Sequence, residues 1–371
     1  MQNKKVSPIV QWWVTPKLPF EDIYESHNFI TQWITHPIKR RFARFYLKFL
    51  TRFTDIKIIG VTGSAGKSTT VQMLSSILSQ RGKTIATPPS IDPIYNIPNT
   101  ILRCLPGTKF LVLEMSVEYP GEMDFYLWLA RPHVALINNI FPTHIKFLGN
   151  VEGVLKEKGK LVQSLNENEI AVLNGDDIRL KKFSQTLRAR IVFFKSDENP
   201  LVHNANAASM IAKQLGISDE EINRGLSMYK KPKHRFEIIK HKSGAFIFDD
   251  TYNSNPEAAI LALKYFNKIS SGKIKIAVLG DMLDLGAIEE ESHRDLGKAV
   301  SRSGFKVVIG VGKASKYLLS ELKNSTTKTY WVEDSKSVFP ILEPLLKKNA
   351  YVMIKGSRSI HLEDLVSLLL S

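Results

Sequence analysis

The sequence predicts an α/β protein. Its centre is a P-loop domain on a mainly parallel sheet, followed by a Rossmann-like α/β domain and preceded by a short helical arm. Three observations carry this. From residue 55 onward, short apolar runs alternate with helix-period segments, as expected for parallel strands covered on both faces. The first run leads into IGVTGSAGKSTT (59–70), where glycines break a strand just before a helix. Residues 1–54 have a different composition, aromatic and basic.

The arm starts with Trp12, Trp13 and Phe20 and continues through His36-Pro37 into IKRRFARFYLKFLTRF. Phe42, Phe45, Tyr46, Phe49, Leu50 and Phe53 keep i, i+3, i+4, i+7 spacing, while Arg40, Arg41, Arg44, Lys48 and Arg52 fall largely on the other side. This is the pattern of a basic amphipathic helix. The expectation is that its aromatic stripe docks on the next domain and leaves a basic edge exposed. Peripheral contact with an anionic membrane is the alternative.

The central domain is expected over 55–232. Its strands are Asp55–Val61, FLVLEMS (110–116), HVALINNI (133–140) and IAVLNGDD (170–177), with a helix over 151–165. Ligands of such sheets collect at the C-terminal strand ends, where Glu114, Asn138, Asn139 and Asp176 fall. Lys230, Lys231, Pro232 and Lys233 mark a linker. A third domain then spans 233–371, with strands in RFEIIKH, GAFIFDD, IKIAVLG (274–280), KVVIG (306–310) and YVMIKG (351–356).

Composition narrows the function. A hydrophobic share of 43% with 23% charged residues suits a globular protein. Cys104 is the only cysteine, so internal disulfides are excluded and a reducing, cytoplasmic location is expected. The excess of 51 basic over 36 acidic residues favours anionic partners such as nucleotides, nucleotide-sugars or lipid headgroups. Zinc-finger spacing and RNA-recognition signatures are missing from the sequence, so nucleic acid is not expected.

The glycine stretch is the main chemical signal. A strand, a glycine turn and a helix start present backbone N–H groups and the positive end of the helix dipole to an anion. Gly63, Ser64, Ala65, Gly66, Lys67, Ser68 and Thr69 would cradle a nucleotide, with Lys67 reaching the terminal phosphates and Ser68 ligating Mg²⁺. The stretch departs from G-x-x-x-x-G-K-[ST], because Val61 stands at the first glycine's position. An ordinary turn before a helix is the competing reading.

GVTGSAGKSTT, LEMSVEYPGEMD, NNIFPTH, EKGKLV, VLNGDD, HRFEII, DDTYNSNP, VLGDMLDLG and IKGSRS occur in this order. Together they resemble the Mur ligases of peptidoglycan synthesis, most of all the branch that adds D-alanyl-D-alanine to a UDP-muramoyl tripeptide. The resemblance implies ATP-driven amide formation: a carboxylate attacks the γ-phosphate, and an amine then displaces phosphate from the acyl phosphate. It implies ATP and Mg²⁺ as cofactors, a small-molecule or nucleotide-sugar peptide as acceptor, and an amino acid or dipeptide as donor. A monomer is expected.

By the same resemblance, Glu114, His144 and Lys158 join Ser68 around the metals, Lys158 as a carbamate, and Asn139 contacts the nucleotide. Arg235 approaches the γ-phosphate, so that Lys67, His144, Lys158 and Arg235 form the catalytic set. Asp250, Tyr252 and Asn255 meet the nucleotide, while Asn253, Lys355, Ser357 and Arg358 face the substrates. The family's usual UDP-holding N-terminal domain is not matched by residues 1–54, and its His-Asn motif appears only blurred, as HNANAA. A UDP-free or lipid-linked acceptor is therefore an alternative, and a non-catalytic nucleotide-binding regulator or scaffold is the alternative of another class.

Overall fold

The computed structural model describes Trp13 and residues 34–89, 93–230, 233–283, 285–323 and 325–371. Trp12, Phe20, Lys231 and Pro232, which the sequence singles out, lie outside the described residues. The chain divides into two compact units. One holds Met1–Ile140, Phe147–Asp197 and Leu201–Lys230; the other holds Phe141–Lys146, Glu198–Pro200 and Lys231–Ser371.

In the first unit the chain runs α1 (His36–Phe53), β1 (Lys57–Thr62), α2 (Lys67–Leu78), β2 (Thr84–Ala86), α3 (Pro93–Leu102), β3 (Phe110–Glu114), α4 (Glu122–Leu129) and β4 (Val134–Ile137). After α5 (Ile145–Leu148) it continues as α6 (Val151–Gln163), β5 (Ile170–Asn174), α7 (Ile178–Ser184), β6 (Arg190–Phe194), α8 (Pro200–Gln214) and α9 (Asp219–Ser227). The six strands pair in parallel in the order β2-β3-β1-β4-β5-β6. β1 is central, and the chain reaches β3 on one side of it and β4 on the other, which opens a crevice at their C-terminal ends. Ile59, Val61, Leu136 and Val172 of the strands pack with Leu74 and Ile77 of α2 and Ile211 of α8.

α2 is fixed from behind by α9. A side chain at Gly225 would strike the Ile77 backbone, so the two helices meet at a backbone contact that only glycine permits. Ser76 Oγ donates to the Gly225 carbonyl at 2.6 Å, and Arg81 forms a forked pair with Glu221 at 2.6 and 2.8 Å.

α1 forms where the sequence expects it but presents a different face. Its buried residues are Pro37, Arg40, Ala43, Leu47 and Leu50. The Arg40 guanidinium, 1% exposed, lies against the rings of Tyr95 and Phe125 at 5.9 and 5.2 Å. Arg44 donates to the Trp128 carbonyl and sits 4.8 Å over its ring, and the Tyr46 hydroxyl donates to the Cys104 carbonyl. Phe42, Phe45, Phe49 and Phe53 are instead 59%, 70%, 49% and 69% exposed. The expectation that the aromatic stripe docks is thus corrected. α3 and α4 offer aromatic rings and carbonyls, which take guanidinium groups by stacking and hydrogen bonding, while Ala43, Leu47 and Leu50 fill the space between.

The second unit contains β7 (Glu237–Lys240), β8 (Phe246–Asp250), α10 (Pro256–Ile269), β9 (Ile274–Gly280), α11 (Glu289–Ser301), β10 (Val307–Val311), α12 (Ser315–Ser320), β11 (Lys328–Val332), α13 (Phe339–Leu342), β12 (Ala350–Lys355) and α14 (Leu362–Leu370). Strand order is β11-β10-β9-β12-β8-β7, with only β7 antiparallel to its neighbour. Successive strand residues alternate between two cores: Val278, Ile309 and Ile354 on one face, Ala277, Val308 and Met353 on the other. Asp250 and Lys355 are register partners at the ends of β8 and β12.

Candidate active site

The phosphate loop follows β1. Val61 is a fully buried strand residue, so no glycine is needed there and the turn begins at Gly63 with φ 151°. Gly66 has φ 77° and stands at the N-cap of α2. A side chain at Gly66 would collide with Asn204 and Asn138, which fixes glycine for two independent reasons. The first i→i−4 bond of the helix runs from Thr70 N to the Gly66 carbonyl at 2.9 Å. The amides of Lys67, Ser68 and Thr69 therefore form the first turn, the part of a helix that attracts anions.

Asparagines hold this loop. Ser64 N donates to the Asn139 carbonyl at 3.1 Å and Ala65 N to Asn139 Oδ1 at 2.8 Å. The amide groups of Asn138 and Asn139 both donate to the Ala65 carbonyl. Ser64 and Ala65 thus spend their N–H groups on the scaffold, and Asn139, expected at the nucleotide, supports the loop. Behind it, His203 Nε2 meets Asn138 Oδ1 at 3.0 Å, Asn138 Nδ2 donates to Asn204 Oδ1 at 2.9 Å, and the Thr70 hydroxyl reaches the same oxygen at 3.3 Å. The His-Asn pair that looked blurred in sequence is intact at 203–204, buried on α8. Thr62 Oγ1, just ahead of Gly63, is buried without a hydrogen-bond partner among the described residues.

Glu114 ends β3 directly opposite Val61 of β1, one strand from the loop. Its amide is held by Thr87 Oγ1, and its half-buried carboxylate makes no ion pair among the described residues. No cluster of three His, Cys, Asp or Glu side chains suited to a metal occurs among the described residues. A hydroxyl at Ser68 and a single carboxylate at Glu114 fit Mg²⁺, which keeps water and nucleotide phosphate in its shell and needs few protein oxygens.

Lys158 faces inward from α6, 1% exposed. Burial, then the charge of Lys67, lowers its amine to about 7, against the smaller opposite pull of Glu122, Glu118 and Glu157. No hydrogen bond or ion pair holds it among the described residues, and of the acids nearby Glu157 and Glu122 are committed elsewhere. Glu157 accepts from Gly121 N, Met123 N and Lys160 Nζ, and Glu122 accepts from Glu118 N and Tyr119 N. Those bonds shape the 116–123 loop and leave the Lys158 amine unmatched. His144 is half-buried ahead of α5, with φ 55°, a backbone state in which histidine is over-represented.

The second unit gathers its own set. Arg235 lies 3.7 Å over the Tyr252 ring, and Arg358 5.6 Å from it. Arg235 is flanked by His234 and Phe236, both with positive φ (62° and 48°). Three bonds clamp this strained turn: His234 Nδ1 to Asp249 Oδ2 at 2.8 Å, Tyr252 N to the His234 carbonyl, and Phe236 N to Asp250 Oδ1. Strained backbone held this firmly is common at functional sites. His234 and Asp249 were not expected as site residues; they precede Arg235 and Asp250 by one position each.

Lys355 Nζ pairs with Asp250 Oδ2 at 2.5 Å and donates to the Asn253 carbonyl at 3.0 Å. Burial raises the Asp250 carboxyl, against the pull of Lys355 and Arg235. Asn255 Oδ1 caps α10 by accepting from Ala258 N at 2.9 Å, and Asn253 Oδ1 accepts from Ser254 N. Ser357 accepts from Leu283 N and donates to the Ser254 carbonyl. Exposed Arg358 pairs with Glu363 at 3.3 Å.

Comparison with known proteins agrees with this geometry. Residues 61–244 match the family model "Mur ligase middle domain" and residues 234–358 match "Mur ligase, glutamate ligase domain". The chain is similar to UDP-N-acetylmuramoyl-tripeptide–D-alanyl-D-alanine ligase of Bacillus subtilis (strain 168), at 28% identity over 92% of this chain and 81% of that one. The enzyme of the same name from Buchnera aphidicola subsp. Baizongia pistaciae is 30% identical over 85% and 76%. Among solved structures, MurF ligase from Thermotoga maritima in complex with ADP superposes with a TM-score of 0.79, covering 90% of this chain and 83% of that one at 24% identity. With both family domains matched in order and the phosphate loop intact, the chain belongs to the Mur ligases, which are ATP-dependent peptide ligases.

Proposed function

We propose that this enzyme adds D-alanyl-D-alanine to a UDP-muramoyl tripeptide, as a cytoplasmic monomer. The acceptor carboxylate attacks the γ-phosphorus of ATP and ADP leaves. The donor amine then attacks the acyl carbon, the phosphate departs with the bonding pair, and the amine loses a proton. Lys67 follows the γ-phosphate, and Arg235, pre-stacked on Tyr252, supplies a second fixed cation to the transferring group. Ser68 and Glu114 would hold Mg²⁺, which neutralises phosphate charge when bound.

The observation that carries the reading is Lys158. A buried lysine that makes no ion pair among the described residues, its amine near 7 beside the phosphate loop, is costly as a cation. It is suited to take up CO₂: the neutral amine adds to carbon, a proton is released, and a carbamate anion results. That anion would face Lys67 and restore charge balance. Arg358 and Lys355 are assigned to the substrate side, Lys355 acting through Asp250 and the Asn253 carbonyl.

A second reading keeps the chemistry and replaces the acceptor with a lipid-linked one, favoured by the exposed aromatic stripe on α1. Incubation with ATP, Mg²⁺, D-alanyl-D-alanine and either UDP-muramoyl tripeptide or its lipid-linked counterpart separates the two. Phosphate release dependent on both carboxylate and amine, with the amide product seen by mass spectrometry, is expected. ATP turnover without amide product from any acceptor would refute the ligase assignment.

A further inference from the structure

α1 has two faces with opposite fates. One packs on α3 and α4 through Arg40, Ala43, Leu47 and Leu50. The other carries Ile38, Phe42, Phe45, Phe49 and Phe53, from 49% to 70% exposed, with Ile34 just ahead of the helix at 47%. At 100° per residue these five fall within about one-quarter of the helix circumference and run about 23 Å along it. A continuous exposed apolar strip of this length is unusual for a globular surface. The helix has no acidic residue between His36 and Phe53. Lys48 and Arg52, both exposed, border one edge of the strip together with Arg41, which donates to the Trp13 carbonyl, and Lys39 borders the other. No described helix is long and apolar enough to cross a membrane.

We propose that this face of α1 lies on an anionic lipid bilayer, its phenylalanines inserted below the headgroups and its bases paired with them. The charge pattern selects this occupant. An apolar strip rimmed by cations complements a surface whose interior is hydrocarbon and whose rim is anionic. Two copies of α1 placed face to face would set cation against cation. The buried face fixes the helix to the first unit, so that unit would be held at the membrane surface. The readout below is partitioning, so it is independent of which acceptor the ligase uses.

The test is co-sedimentation of the full chain with vesicles of phosphatidylcholine alone or mixed with phosphatidylglycerol. Binding at least about tenfold tighter to the anionic vesicles is expected, since each base near such a surface contributes about fivefold. Phe45→Glu with Phe49→Glu should reduce it at least about tenfold, as should Lys48→Glu with Arg52→Glu. All four positions are exposed, and unchanged circular dichroism would confirm folding. Equal affinity for both vesicle types, or affinity untouched by the phenylalanine changes, would overturn the proposal. A folded chain that sediments with neither would also overturn it, as would lipid-free dimers abolished by Phe45→Glu, which would assign the strip to a second copy.

Discussion

The proposed carbamate on Lys158 gives the sharpest prediction. An ordinary lysine at pH 7.5 is neutral in about one molecule in a thousand. With its amine lowered to about 7, Lys158 is neutral in about three-quarters of molecules, several hundredfold more of the form that attacks CO₂. Ligation should therefore fall when buffers are stripped of CO₂ and return when bicarbonate is added. As the pH falls through about 7 the amine protonates, the carbamate is lost and activity declines with it. ¹³C-labelled bicarbonate should give a carbamate resonance in the wild type that is missing from Lys158→Ala, and short carboxylates should partly rescue that variant. The stability sign is opposite. In CO₂-free buffer the unfolded chain binds a proton at this lysine up to about pH 10.4, the folded chain only up to about 7. Burial of Lys158 therefore costs nothing above the unfolded value, costs more as pH falls, and reaches its full penalty below the folded value. Lys158→Met should be more heat-stable than CO₂-free wild type at pH 6, yet inactive. Wild-type turnover by Lys158→Ala, or turnover indifferent to CO₂ with no labelled resonance, would refute the reasoning.

Other expectations follow from the same geometry. Lys67→Ala should lose at least about 10²-fold in turnover, the scale of one preorganised transition-state contact, with its circular dichroism unchanged. Gly66→Ala should abolish nucleotide binding in a fluorescent-nucleotide titration, because its side chain would enter the space of Asn138 and Asn204; native affinity would remove the loop from the reading. Asp250→Asn leaves Lys355 charged and buried, and should cost about 3–5 kcal/mol in urea unfolding. Adding Lys355→Met to that variant should recover most of the loss, although ligation stays impaired.

Most strands were legible because their apolar runs end at turn residues, and β1, β3, β4, β5 and β9 form close to where the pattern places them. β2, β6 and β11 were not. β2 has three residues, while β6 and β11 are edge strands with partly exposed, mixed side chains, so little apolar periodicity is written into them. Lys158 sits in a stretch, LKEKGK, whose composition is that of a solvated helix face. A signal was nonetheless present: Val154, Glu157, Lys158, Leu161 and Val162 are among the buried residues of α6 and keep helical spacing, so two charged residues occupy the apolar phase. On α1 the sequence sets an aromatic stripe against a face that mixes Ala43 and Leu47 with Arg40 and Arg44. Hydrophobicity alone prefers to bury the phenylalanines; that the neighbouring helices present rings and carbonyls for Arg40 and Arg44 cannot be read from α1 itself. The phosphate loop was legible as glycines, but its asparagine supports come from distant segments.

That distance has a consequence for how the protein is made. Thr70 and Asn204 are 134 positions apart, and Gly225 locks Ser76 across 149. A ribosome that has delivered the glycine loop must extend the chain through β6 and into α8 before the first of these supports exists, and into α9 before the second. Until then the loop has only its bonds to Asn138 and Asn139. Long-range closures of this kind slow folding, so the interval between synthesis of the loop and arrival of α9 is the one in which chaperones would most readily find this chain.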